Sequence, residues 1–209
     1  MFEIKNIRSD DLTLMALTEA YLLTNPHPGV RIRPGDEIRK AMSTGQCLVI
    51  ESDGAICGCS LIYKFDVPQT GPIYSEIGTM RITANGYDLQ TLIAKLHLVQ
   101  IYLEEYRSTP SEIFAVVEPK TASEHNLVNK VLLKRWPVPP ALSVLRSNTG
   151  VPFSAAKYAI AADTVAIERA FRDLAAGCRP DGTLNTPKNN GQVKVAMGWF
   201  SPSVLSCYP

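Results

Sequence analysis

Few residues in this chain are of types that do chemistry, and their spacing narrows what that chemistry could be. Cys57-Gly58-Cys59 places one residue between two thiols, which suits neither a structural zinc pair nor a redox CxxC. On a strand these thiols would share one face and behave as small buried hydrophobes. With Cys47, Cys178 and Cys207 they make an odd set of five, and no metal site is expected. The chain has no Gly-x-Ser-x-Gly elbow and no cysteine in an activating context, so a nucleophilic hydrolase finds little support. Ser123 and His125 fall at the start of a helical stretch, where an imidazole can act as acid or base near neutrality or be a solvated surface group. Glu76 is a carboxylate inside an apolar strand-like run, Tyr74 to Thr83.

The elements that must position these residues follow from periodicity. Phe2 to Arg8 alternates as a strand, Ser9-Asp10-Asp11 offers capping oxygens, and Leu12 to Leu23 reads as a helix. The prolines and glycine of residues 25–29 make a loop, and a short helix follows over Gly35 to Ser43. An Asp53-Gly54 turn joins two apolar runs, Gln46 to Glu51 and Ala55 to Phe65, into an antiparallel hairpin. The Tyr74 to Thr83 strand is broken by Asn85-Gly86-Tyr87-Asp88 before a helix over Leu89 to Tyr106, whose Leu92, Leu96, Val99 and Leu103 form one packing stripe.

Glu112 to Val117 is an apolar strand, leading into a helix from Ala122 to about Arg135. Trp136 to Pro140, with three prolines, is the best internal boundary. Beyond it we expect short strands at Ala141 to Arg146 and Lys157 to Ala161, and an Asp163-capped helix over Thr164 to Ala176. A loop should fill Pro180 to Gly191, with a last strand at Gln192 to Phe200 lying at a sheet edge or added to a partner subunit. The helix's apolar side and this strand predict a homodimer.

At 209 residues and 45% hydrophobic the chain can bury a sizeable core as one domain, a core of residues 1–136 with an extension of 137–209. The formal charge of +1 provides no field to gather nucleic acid or an acidic membrane surface. Residues 1–11 lack an uninterrupted apolar stretch, which predicts a cytoplasmic protein with no membrane partner.

The order strand, two helices, three antiparallel strands, helix, strand, helix resembles the GNAT superfamily of N-acyltransferases. Glu76-Ile77-Gly78-Thr79, followed by a loop and an amphipathic helix, resembles that family's fourth strand and cofactor loop. Val116 to Lys130 (VVEPKTASEHNLVNK), with Ala122-Ser123 and Asn129-Lys130, is similar to the stretch after its fifth strand. The resemblance implies an α/β fold, a mixed but mostly antiparallel sheet flanked by helices, with the C-terminal residues as an α/β extension. It implies acetyl-CoA or another acyl-CoA as co-substrate and a small-molecule or peptide amine as acceptor. The fourth and fifth strands would splay at a bulge, so that backbone groups hold the pantetheine arm. Met80, Arg81 and Ile82 would line that arm. Asn85, Gly86, Tyr87, Asp88, Leu89 and Gln90 would cradle the pyrophosphate at a helix N-terminus, with Ser123 a further cofactor contact.

The resemblance makes Glu76 the general base, against the plainer reading of a hydrogen-bonded strand carboxylate. His125 is the candidate acid, because the family's tyrosine is absent near Val128 and Asn129. His27, Arg31 and Arg33 could meet an acidic acceptor or be an exposed basic loop, and Tyr63 and Tyr74 either pack or line a pocket. The loop departs from the family pattern: it has only Gly86, expected at positive φ or against phosphate, and Asp88 stands where a second small residue is usual. A carboxylate there repels pyrophosphate and can cap the helix instead. The alternative is therefore a GNAT-like binding or assembly module that has lost catalysis.

Overall fold

The computed structural model describes residues 1–25, 33–67, 73–84, 88–106, 111–148, 153, 156–186 and 191–208. The chain forms two compact units, one of Met1–Leu61, Thr79–Ile93 and Phe171–Pro209, the other of Ile62–Gly78 and Ala94–Ala170.

In the first unit β1 (Phe2–Asn6) turns Ile4 into the core while its flanking residues stay half-buried, the outcome of the FEIKN alternation. After α1 (Leu12–Thr24) and α2 (Gly35–Ser43), β2 (Cys47–Ser52) pairs antiparallel with β1, Ile4 opposite Ile50. The hairpin to β3 (Ala55–Asp66) closes as the sequence predicts: Ser52 faces Ala55 across Asp53 (φ 53°) and Gly54 (φ 80°), two positive values that match the right-handed twist of the strands. α2 buries Ile38, Ala41 and Met42 at helical spacing.

In the second unit β4 (Ile73–Ile82) begins in a parallel ladder with β5 (Ser111–Val117), from Ile73↔Ser111 to Glu76↔Phe114. Between them in sequence lies α3 (Leu89–Ile101), prolonged by a π-helical turn over Tyr102–Tyr106. β3, β4 and α3 run through both units. The other edge of β5 takes β7 (Tyr158–Ala161), which pairs on its far side with β6 (Lys134–Arg135), both antiparallel. Phe114 is fully buried, with Trp136 at 5.3 Å and Phe65 at 6.4 Å between ring centroids. Trp136 also meets Tyr74, so the proline-rich stretch starts from a packed ring.

Several expectations change. The helix expected to reach Arg135 is only α4 (Ala122–His125) plus a π-helical turn over Asn126–Lys130. Left-handed Leu132 (φ 68°) then turns the chain into β6. Ala141 to Arg146 is not a strand but part of α5 (Pro140–Asn148), because proline is pre-set for a first helical turn.

α6 (Thr164–Gly177) follows, and the expected loop of residues 180–191 holds β8 (Thr183–Thr186), which forms a hairpin with β9 (Gly191–Ala196). β9 ends at Ala196, short of Trp199 and Phe200, before α7 (Pro202–Leu205). It lies between β8 and β1 in the chain's own ladders. On α6, Ala166, Ala170, Phe171 and Leu174 are buried within the chain, while Val165 is 50% exposed.

Thr121 caps α4 by accepting from Glu124 N–H, and Glu124 accepts in return from the backbone of Lys120. Lys120 is exposed at φ 64°. An L-residue there is strained by about 1–2 kcal/mol, so Lys120→Gly should gain up to about 1 kcal/mol in urea unfolding and Lys120→Val should lose stability.

Candidate functional site

Glu76 occupies the last rung of the β4–β5 ladder, and β5 continues to Val117 beyond it. Three residues on, Thr79 adopts φ 46°, an outlier for a β-branched residue. The β4–β5 pairing therefore stops before the end of either strand, where the family resemblance leads one to expect the two to part. At Gly78 an added Cβ would stand 3.2 Å from the Tyr63 ring and 3.7 Å from Glu76 Oε1, so glycine lets that carboxylate and ring lie over the strand.

The partner of Glu76 is Arg146 on α5, whose Nη2 donates to Oε1 at 3.0 Å. The two side chains are 7% and 4% exposed. Arg146 also stacks its guanidinium 4.1 Å from the centroid of Phe153. Sequence reasoning missed Arg146; the available signal was Pro140 opening a helix with Leu142 and Arg146 four residues apart on one face. The carboxylate expected to be a base is thus held in a buried, charge-assisted pair.

His125 is exposed and pairs its Nδ1 with Asn129 Nδ2 at 3.1 Å, while Ser123 is half-buried in the same short helix. The described contacts of Glu76 and His125 run to different partners, Arg146 and Asn129. A neighbouring contact joins the Tyr158 hydroxyl to Glu124. That bond, and then the Lys120 amide, hold the Glu124 carboxyl below the usual carboxylate range.

In the first unit lie the end of β4 and the start of α3. Met80 and Ile82 are half-buried, and Arg81 between them is buried. Arg81 points to the C-terminus of α1, its Nη1 donating to the carbonyls of Leu22 and Asn25 at 2.6 Å each. Tyr21 O–H lies 3.4 Å from both Arg81 O and Thr83 Oγ1. Asp88 stands before α3 with its Oδ1 accepting the Thr91 hydroxyl at 2.7 Å and its carbonyl accepting Leu92 N–H, as a capping residue would. Leu89 is buried at 1% exposure, an apolar anchor for the helix start, and Gln90 is half-buried. Asn85, Gly86 and Tyr87 lie outside the described residues, as do His27 and Arg31. Arg33 is buried and paired with Glu37 at 3.1 Å. Tyr63 and Tyr74 are both buried.

The described residues contain no group of histidine, cysteine and acidic side chains able to hold a metal. None of their helices is long and apolar enough to cross a membrane. A surface pocket of about 590 Å³ in the second unit, walled by Lys134, Trp136 and Asp163, includes none of the candidate catalytic or cofactor-binding residues.

Burial pushes the Cys59 thiol up to about 12, against an opposing pull from Arg81, and raises Cys47 as well. The ordinary thiol value is 9.0, so the neutral form is favoured in the folded state. Its contribution is fully present below about pH 9 and should be lost as pH climbs toward about 12, at up to ~1.4 kcal/mol per pH unit. Urea unfolding of Cys59→Ala should therefore decline less steeply across that window than wild type. Equal slopes would contradict the assignment.

No family model and no curated protein matches the sequence. Solved structures do match. Arabidopsis thaliana Naa50, in complex with the bisubstrate analogue CoA-Ac-MVNAL, gives a TM-score of 0.52 at 15% identity, over 78% of this chain and 98% of that one. Drosophila melanogaster polyamine N-acetyltransferase gives 0.52 at 8% identity, over 77% and 97%. The NatC complex bound to Gag peptide and CoA gives 0.51 at 12%, over 65% and 86%. The strand order and these likenesses agree, and the chain has a GNAT-like mixed α/β fold.

Proposed function

We propose that this protein is an N-acyltransferase that moves an acetyl or longer acyl group from an acyl-CoA to an amine. The supporting observation is the end of the β4–β5 ladder at Glu76↔Phe114, with left-handed backbone at Thr79 just beyond, which leaves Ala115 to Val117 of β5 outside the pairing with β4. Strand amides released from a ladder are ready donors for a thioester carbonyl and a pantetheine arm. Known structures of this fold carry CoA or a CoA-containing analogue, which accords with the same co-substrate here.

In this reading Met80, Arg81 and Ile82 line the arm with their backbone. Residues 85–90 and Ser123 receive the phosphates and the adjoining part of the cofactor. Glu76 takes the amine proton directly or through water, Arg146 fixes its carboxylate, and His125 is the candidate acid. Holding amine and thioester in line supplies most of the rate, so the chemistry asks little of side chains. The acceptor is a small or peptide-borne amine and the protein works in the cytoplasm. Self-association to a homodimer belongs to the same reading, and light scattering at high micromolar concentration tests it.

A second reading, a binding module without catalysis, is favoured by one observation: Asp88 places a carboxylate at the start of α3, where pyrophosphate would sit. One experiment separates the two. Acetyl-CoA at about 100 times its dissociation constant should stabilise the fold by ~2.7 kcal/mol, visible as a rise in melting temperature. Asp88→Asn should tighten that binding about fivefold or more by removing the repulsion. No shift with any acyl-CoA, in either protein, leaves the module reading.

A further inference from the structure

Three arginines are deeply buried among the described residues: Arg33, Arg81 and Arg146. A buried guanidinium is costly unless its charge is answered. Arg33 is answered by Glu37 at 3.1 Å and Arg146 by Glu76 at 3.0 Å. Arg81, at 4% exposure, has no carboxylate partner among the described residues.

Only one corner of the Arg81 guanidinium is used. Nη1 donates to Leu22 O and Asn25 O, which lie in the last turn and at the cap of α1. That helix has no basic residue in its last turn, so Arg81 supplies the cation its negative end favours. The two bonds at 2.6 Å also fix the plane of the guanidinium. Nε and Nη2 are buried and have no hydrogen-bond partner among the described residues. These two N–H groups form the side of the fork that meets both oxygens of a single carboxylate in parallel. The nearby Cys59 thiol stays neutral at ordinary pH, and Tyr21 is held by hydroxyl and backbone bonds, so neither competes as an anion.

We propose that the Nε–Nη2 edge of Arg81 receives a carboxylate carried by the acceptor, so that the preferred substrates are amines of the amino-acid type. That the carboxylate belongs to an acceptor rests on the acyltransferase reading, whereas the carboxylate site itself does not depend on it. The charge arrangement supports it: the chain supplies an acid of its own to two buried arginines and leaves the third with one edge pre-oriented and unanswered.

The test compares γ-aminobutyrate with γ-aminobutyramide, the same amine with its carboxylate replaced by a neutral amide, by calorimetric titration of the whole protein. Wild type should bind the acid about tenfold or more tightly than the amide. Arg81→Lys keeps a cation for the α1 carbonyls but loses the fork, so this preference should collapse while thermal unfolding stays cooperative. The proposal is overturned if wild type binds neither compound or binds both equally, if Arg81→Lys keeps the preference, or if a crystal structure with γ-aminobutyrate shows only water on Nε and Nη2. An acetyl-CoA titration run alongside keeps the two readings apart. A protein that binds acetyl-CoA but ignores the carboxylate refutes this inference alone, and one that prefers the acid yet never binds acetyl-CoA refutes only the acyltransferase reading.

Discussion

Arg146→Met should lower the unfolding free energy by about 3–5 kcal/mol, the usual consequence of stranding one member of a buried ion pair. Glu76 is 7% exposed in its side chain and cannot recover hydration where it stands. The loss comes from the uncompensated carboxylate more than from the missing contact. The double variant Glu76→Leu with Arg146→Met should therefore recover much of the stability lost by Arg146→Met, since well-packed apolar pairs often match buried ionic ones. Urea unfolding at neutral pH measures both. A loss under about 1 kcal/mol for Arg146→Met would mean that the pair is hydrated in solution.

Glu76→Gln should remove about 10²–10⁴-fold of the acyl-transfer rate while leaving acetyl-CoA affinity in place, the typical contribution of a general base. The amide oxygen can still accept from Arg146, so the side chain keeps its position and loses its capacity to take a proton. The deficit should be deepest at low pH, where the acceptor amine is mostly protonated. A loss under about threefold at every pH would make Glu76 a structural carboxylate, and Arg146 with it.

Much of the fold was legible because local rules and tertiary packing agree in it. Asp53-Gly54 demands a hairpin turn of one hand, and α2 shows its apolar face in nine residues. Illegible parts depend on partners distant in sequence. Arg146 meets Glu76 across 70 positions, and nothing in VLRSN announces a buried guanidinium. Thr79 in left-handed space contradicts its own propensity, as strained positions beside functional sites tend to do. The proline cluster of residues 137–140 was ambiguous for a clear physical reason: proline ends one helix and begins another equally well. β8 is four residues of TLNT, too short and polar to stand out from a loop until β9 pairs with it. The spare edge of Arg81 is invisible in sequence, since only the directions of α1 and β4 reveal which N–H groups are used.

β1 pairs on one side with β2 and on the other with β9, whose rungs match residues 2–5 to residues 193–196. During synthesis the second unit, which ends at Ala170, has all its residues before this contact can form. The first unit must wait until β9 has left the ribosome, holding β1 with one edge open in the meantime. An open strand edge is a template for a neighbouring chain, so the nascent protein is most exposed to mispairing in that interval. A chain cut after Arg179 would never leave that state, because both β8 and β9 lie beyond the cut.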